Sequence, residues 1–87
     1  MNKINVIGLN SANFLVTVLG ITETTHEVTV QQDYALKLTQ GKVSTAELVR
    51  KSFEFLLARE SNTSILRSFD LSVIARYFPE YESVIAK

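Results

Sequence analysis

The sequence predicts an α+β fold, strands first and helices after, and three observations carry that prediction. Apolar residues alternate with polar ones before Gln32, the spacing turns helical after it, and Ser44-Thr45-Ala46-Glu47 reads as a helix capping box. At 87 residues and 9.8 kDa the chain has room for one core, so residues 1–87 are expected to form one small domain. Its first part (residues 1–31) would hold a small antiparallel sheet or hairpin. Its second (residues 33–87) would hold about three to five helices.

Ile4, Val6 and Leu9 suggest a short first strand. Phe14 to Leu19 is the clearest strand, with Phe14, Val16 and Val18 on one face and Leu15, Thr17 and Leu19 on the other. Gly20 to Thr25 forms a polar link to a strand from His26 to Gln31, where Val28 and Val30 oppose Glu27, Thr29 and Gln31. Asp33 can cap a short helix to about Thr39, closed by Gly41 in the left-handed region. In the capping box the Ser44 hydroxyl accepts from the Glu47 amide and the Glu47 carboxylate reaches back. The helix it opens is predicted to be long and amphipathic, over about residues 45–59. Val49, Phe53, Leu56 and Leu57 make its main stripe, widened by Leu48 and Phe55. Glu60 to Thr63 breaks the pattern, and Ser64 to Phe69 is predicted to add a helical turn or two. Asp70 then caps a helix over Leu71 to Phe78, and Pro79 fits the first position of a last one, whose positive end suits Glu80 and Glu82.

Composition narrows the chemistry. Apolar residues at 46% and charged residues at 21% describe a globular chain, and nine basic residues balance nine acidic ones. No cysteine is present, which removes disulfides, thiolate metal sites and cysteine nucleophiles. His26 is the one imidazole, too little for a serine triad, and is expected as an exposed or edge residue. Gly8, Gly20 and Gly41 do not make a phosphate loop, and Glu80 and Glu82 diverge on a helix. The expectation is therefore a non-enzyme with no cofactor, no metal and no evident small-molecule substrate. No run approaches the roughly 18 apolar residues of a spanning helix, and no signal-peptide pattern is visible, so the reading is cytoplasmic and without a membrane partner. Phe69, Tyr77, Phe78 and Tyr81 crowd the C-terminal stretch. They are expected in the core, with both tyrosines partly exposed because their hydroxyls need partners.

Residues 26–59 resemble the ribbon-helix-helix repressors and antitoxins: a short strand, a short helix, Gly41-Lys42, a serine cap, then Glu47-Leu48-Val49-Arg50-Lys51-Ser52-Phe53-Glu54-Phe55-Leu56. The resemblance implies a strand paired with its dimer mate, with Glu27, Thr29 and Gln31 reading the major groove. It implies phosphate contacts at the start of the capped helix, from Ser44 and Thr45 with Lys42, Arg50 and Lys51 nearby. A second stretch, Ser64-Ile65-Leu66-Arg67-Ser68-Phe69-Asp70-Leu71 with Ile74-Ala75-Arg76-Tyr77-Phe78-Pro79-Glu80-Tyr81-Glu82, resembles a group of short uncharacterised bacterial proteins, and implies no activity.

Two functional expectations follow. The first is a small interaction or regulatory module acting through protein–protein contacts, as a homodimer or with another protein, with Leu48 and Phe55 exposed beside the core stripe as the interface. The alternative is DNA binding by the ribbon-helix-helix route. Strand pairing discriminates them: the DNA route needs a free edge on the strand at residues 26–31.

Overall fold

The alternation at the start of the chain becomes three antiparallel strands, β1 (Lys3–Gly8), β2 (Asn13–Leu19) and β3 (Thr24–Thr29), in a computed structural model that describes residues 3–86. The register sets Ile4 opposite Val18, Val6 opposite Val16, Val16 opposite His26 and Phe14 opposite Val28. These residues share one pleat face, and it is the face that meets the helices. Ile4, Phe14, Val16, Val18, His26 and Val28 are buried there, while Lys3, Asn5, Ile7, Thr25 and Glu27 on the other face are exposed. The β1–β2 connection is held by Asn10, whose Oδ1 accepts from the amides of Ala12 and Asn13 at 2.9 Å each. β3 starts and ends two residues earlier than the predicted His26 to Gln31.

A fourth strand, β4 (Ser68–Asp70), lies parallel to β3, so the sheet order is β1-β2-β3-β4. This corrects the helical turns predicted for Ser64 to Phe69. Three residues are too few to show a period, and β4 exists because β3 has an edge to share. The Glu27 amide donates to the Arg67 carbonyl at 2.7 Å, and the Leu71 amide donates to that of Thr29 at 2.8 Å. A parallel pair needs a crossover, which the intervening helices supply.

The first of them is α1 (Gln32–Thr39). Asp33 is not its cap: Gln31 takes that position, and Asp33 sits in the first turn with Oδ1 accepting from the Tyr34 amide at 2.8 Å. The left-handed C-cap falls on Gln40 (φ 53°), and Gly41 follows with φ 74°. In α2 (Thr45–Leu57) the Ser44 hydroxyl accepts from the Glu47 amide at 3.1 Å, one half of the predicted capping box; the return bond from the Ser44 amide to the Glu47 carboxylate does not form among the described residues. At 13 residues it stops two short of the predicted Arg59. After a 3-10 turn (Asn62–Ser64), the predicted helix over Leu71 to Phe78 contracts to α3 (Val73–Tyr77). Asp70 shapes the turn before it, Oδ1 accepting from the Ser72 amide at 3.0 Å and hydroxyl at 2.8 Å. Pro79 precedes α4 (Tyr81–Ile85) instead of opening it. No helix among the described residues is long and apolar enough to cross a membrane.

The helices form one layer: α2 rests on β1 and touches α1 and α4, and α4 also meets α1 and α3. Tyr81 pins α4 to α2 from inside. It is fully buried, against the partial exposure predicted for it, because its hydroxyl pairs with the Ser52 hydroxyl at 2.6 Å. Burial pushes its phenol up to about 12, the Ser52 bond and the nearby Glu82 charge adding smaller opposed effects. On the surface, the Tyr34 hydroxyl donates to Glu82 Oε2 at 2.8 Å and the Lys37 ammonium reaches Oε1 at 3.3 Å, joining α1 to α4. The Tyr34 bond holds the Glu82 carboxyl below its usual range, with Lys37 helping and burial opposing. A carboxyl lowered on folding adds stability that is complete above its unfolded value, about 4.3, and disappears as pH falls through the folded one. Glu82→Gln is therefore expected to lower stability at neutral pH and leave it unchanged near pH 2. Thermal melts of both forms from pH 7 to 2 check this, and parallel curves would refute it.

Candidate functional site

The residues expected to form an interface do not reach the surface. Leu48 is 1% exposed and Phe55 5%. Phe55 meets Phe78 and Tyr81 edge-on at 5.8 and 5.3 Å between ring centroids, and the Arg59 guanidinium covers it at 3.6 Å. The sheet, α1 and α4 together cover more of α2 than one apolar stripe requires, which is why both residues end up inside.

The residues implied by the ribbon-helix-helix resemblance are scattered. β3, which carries Glu27 and Thr29, has β2 on one edge and β4 on the other, so no edge is left for a symmetry mate at those positions. Thr29 Oγ1 donates to Asn13 Oδ1 at 2.8 Å, and Gln31 Nε2 donates weakly to Asp70 Oδ2 at 3.4 Å. Burial pushes the Asp70 carboxyl up, but the Ser72 and Gln31 bonds bring it below its usual range. Arg50, implied as a phosphate anchor, donates from Nη2 to the Ile4 carbonyl of β1 at 2.9 Å. There it blunts the edge of the sheet. Ser44 caps α2, Lys42 is exposed in the turn before it, and Thr45 and Lys51 are half-buried.

His26, expected at the surface, is 1% exposed in the middle of the sheet. Its ring lies 5.3 Å from that of Phe53. One ring nitrogen, Nδ1, is 2.7 Å from the Leu66 carbonyl, and Nε2 is 2.9 Å from Thr24 Oγ1. The carbonyl can only accept, so Nδ1 donates to it, and in the neutral ring Nε2 then accepts from Thr24. Asn62 Nδ2 donates to the same Thr24 oxygen at 2.9 Å and to the Thr22 carbonyl at 2.7 Å. This buried network ties the segment around residues 62–66 to β3.

What that segment frames is an apolar groove of about 380 Å³. The end of α2 gives it Leu56, the turn after α2 Glu60, the segment after the 3-10 turn Ile65 and Leu66, β4 gives Phe69, and α3 gives Val73 and Tyr77. Its volume lies near the low end of the roughly 300–1,000 Å³ usual for binding pockets. Leu66 and Tyr77 on its rim are 49% and 68% exposed. Among the described residues Glu60 is its one charged lining residue. Among the described residues no group of acidic or imidazole side chains is placed to hold a metal. The groove thus offers apolar contact, two hydroxyls at Ser64 and Tyr77, and one carboxylate. Comparison with protein-family models, curated proteins and solved structures gives no match.

Sequence reasoning missed Leu66, Val73 and Glu60 as site residues and placed Tyr77 with the core aromatics. The usable signal was the break at Glu60 to Thr63, where a helix ends beside two more apolar runs.

Proposed function

We propose that this chain is a non-catalytic interaction module that acts through protein–protein contacts at the groove between α2, β4 and α3. The observation that carries this reading is the exposure of Leu66 and Tyr77 on the rim of an apolar groove. A lone carboxylate with two hydroxyls lacks the paired acid and base that catalysis by the protein's own side chains commonly uses. The accessible surface, 5319 Å², is close to the roughly 5,200 Å² of a folded monomer of this mass. The lone chain thus exposes no excess surface, and the reading is of a partner that binds and leaves, a second copy included.

The test compares wild type with a Leu66→Glu/Tyr77→Glu double variant, both exposed positions, after melts show the same fold. Wild type should retain a partner from lysate, or self-associate in sedimentation at micromolar concentration, and the variant should lose either. Identical behaviour of the two would overturn the reading. A mixed-sequence DNA duplex should give no anisotropy change at low salt; salt-sensitive binding weakened by Lys42→Ala would restore the nucleic-acid alternative.

A further inference from the structure

Resting on the interaction-module reading, we infer that the groove takes an extended segment of a partner protein, which adds to β4 as a fifth strand, seats an apolar side chain in the groove and pairs a lysine or arginine, two residues further along, with Glu60. The sheet order leaves β4 with one neighbour, β3. The bonds to β3 use the Arg67 carbonyl and the Leu71 amide, two residues to either side of Phe69. Alternation along a parallel strand therefore turns the amides and carbonyls of Ser68 and Asp70 outward. The opposite edge of the sheet, at β1, is treated differently: there Arg50 occupies the Ile4 carbonyl. β4 carries no lysine or proline to repel an added strand. Its Phe69 lines the groove, so an added strand lies beside the cavity and its alternate side chains meet the cavity.

Charge decides what else the segment carries. Glu60 is half-buried in the groove wall, and among the described residues its carboxylate has no ion pair; the two ion pairs present join Lys37 to Glu82 and Arg59 to Glu80. Arg67 and Arg76 are exposed and lie outside the lining. A carboxylate beside an apolar wall is complemented by a cation on an otherwise apolar ligand.

The probes are two pools of end-blocked heptapeptides in which threonine alternates with valine from a threonine start, so that the central residue shares the valine face; it is lysine in one pool and glutamate in the other. They are titrated into the isotope-labelled full chain while amide shifts are followed by NMR. The lysine pool should shift residues 64–70 and Tyr77 and bind about fivefold more tightly than the glutamate pool. Glu60→Gln should remove that preference and keep the binding, and backbone N-methylation of the lysine peptides should abolish it. Equal affinity of the pools, undiminished binding after N-methylation, shifts elsewhere, or none at millimolar peptide would each overturn the inference. Concentration-dependent shifts at the same residues without peptide would assign the groove to a second copy and overturn it too. Any of these can occur while the Leu66→Glu/Tyr77→Glu comparison still shows a partner, which separates failure of this inference from failure of the module reading.

Discussion

Phe55→Ala is expected to lose about 3–5 kcal/mol of stability, the range for deleting a buried aromatic side chain. The ring lies between Phe78 and Tyr81 with the Arg59 guanidinium over its face, so truncation opens a cavity where α2, α3 and α4 meet. For a chain of 87 residues the whole of stability is on the order of 4–13 kcal/mol, so the variant gives up a large share of it. A urea titration checks it: the midpoint should fall sharply with little change in slope. An unchanged midpoint would place Phe55 at the surface after all.

His26→Phe is expected to cost about 2–4 kcal/mol although the new ring fills nearly the same space beside Phe53. Each buried polar group left without a partner costs about 1–3 kcal/mol, and two are stranded, the Leu66 carbonyl and the Thr24 hydroxyl hydrogen. The loss should also be local. Leu66 leads into β4, so hydrogen exchange at the Glu27 and Leu71 amides, which bond between β3 and the β4 segment, should accelerate more than at Val16, in the centre of the sheet. Uniform acceleration would mean that His26 supports the core as a whole and not the β4 side of it. His26→Gln, which can donate to Leu66, should recover part of the protection.

Much of the architecture was legible along the chain. Phe14, Val16 and Val18 face inward as their alternation requires, and Ser44 caps α2 as its spacing to Glu47 requires. Both are local facts: period two orients a side chain without reference to the rest of the fold, and a cap bond spans three residues. The helix ends were less legible, because α3 and α4, five residues each, are held by neighbours and not by their own propensity.

The sequence by itself determined the α+β class, the inner face of β2, the start of α2 and the absence of cysteine chemistry. Tertiary structure alone decided that His26 lies inside, that Phe55 and Leu48 belong to the core, and that Ser68 to Asp70 forms a strand beside β3. The reason is the range of the forces involved. Alternation and capping act between residues a few positions apart, whereas the bonds of His26 to Leu66, of Asn62 to Thr22 and of Glu27 to Arg67 each join segments about forty residues apart. Those same long-range bonds bring β4, α3 and the end of α2 together around the groove, so the candidate site exists only once the chain has folded.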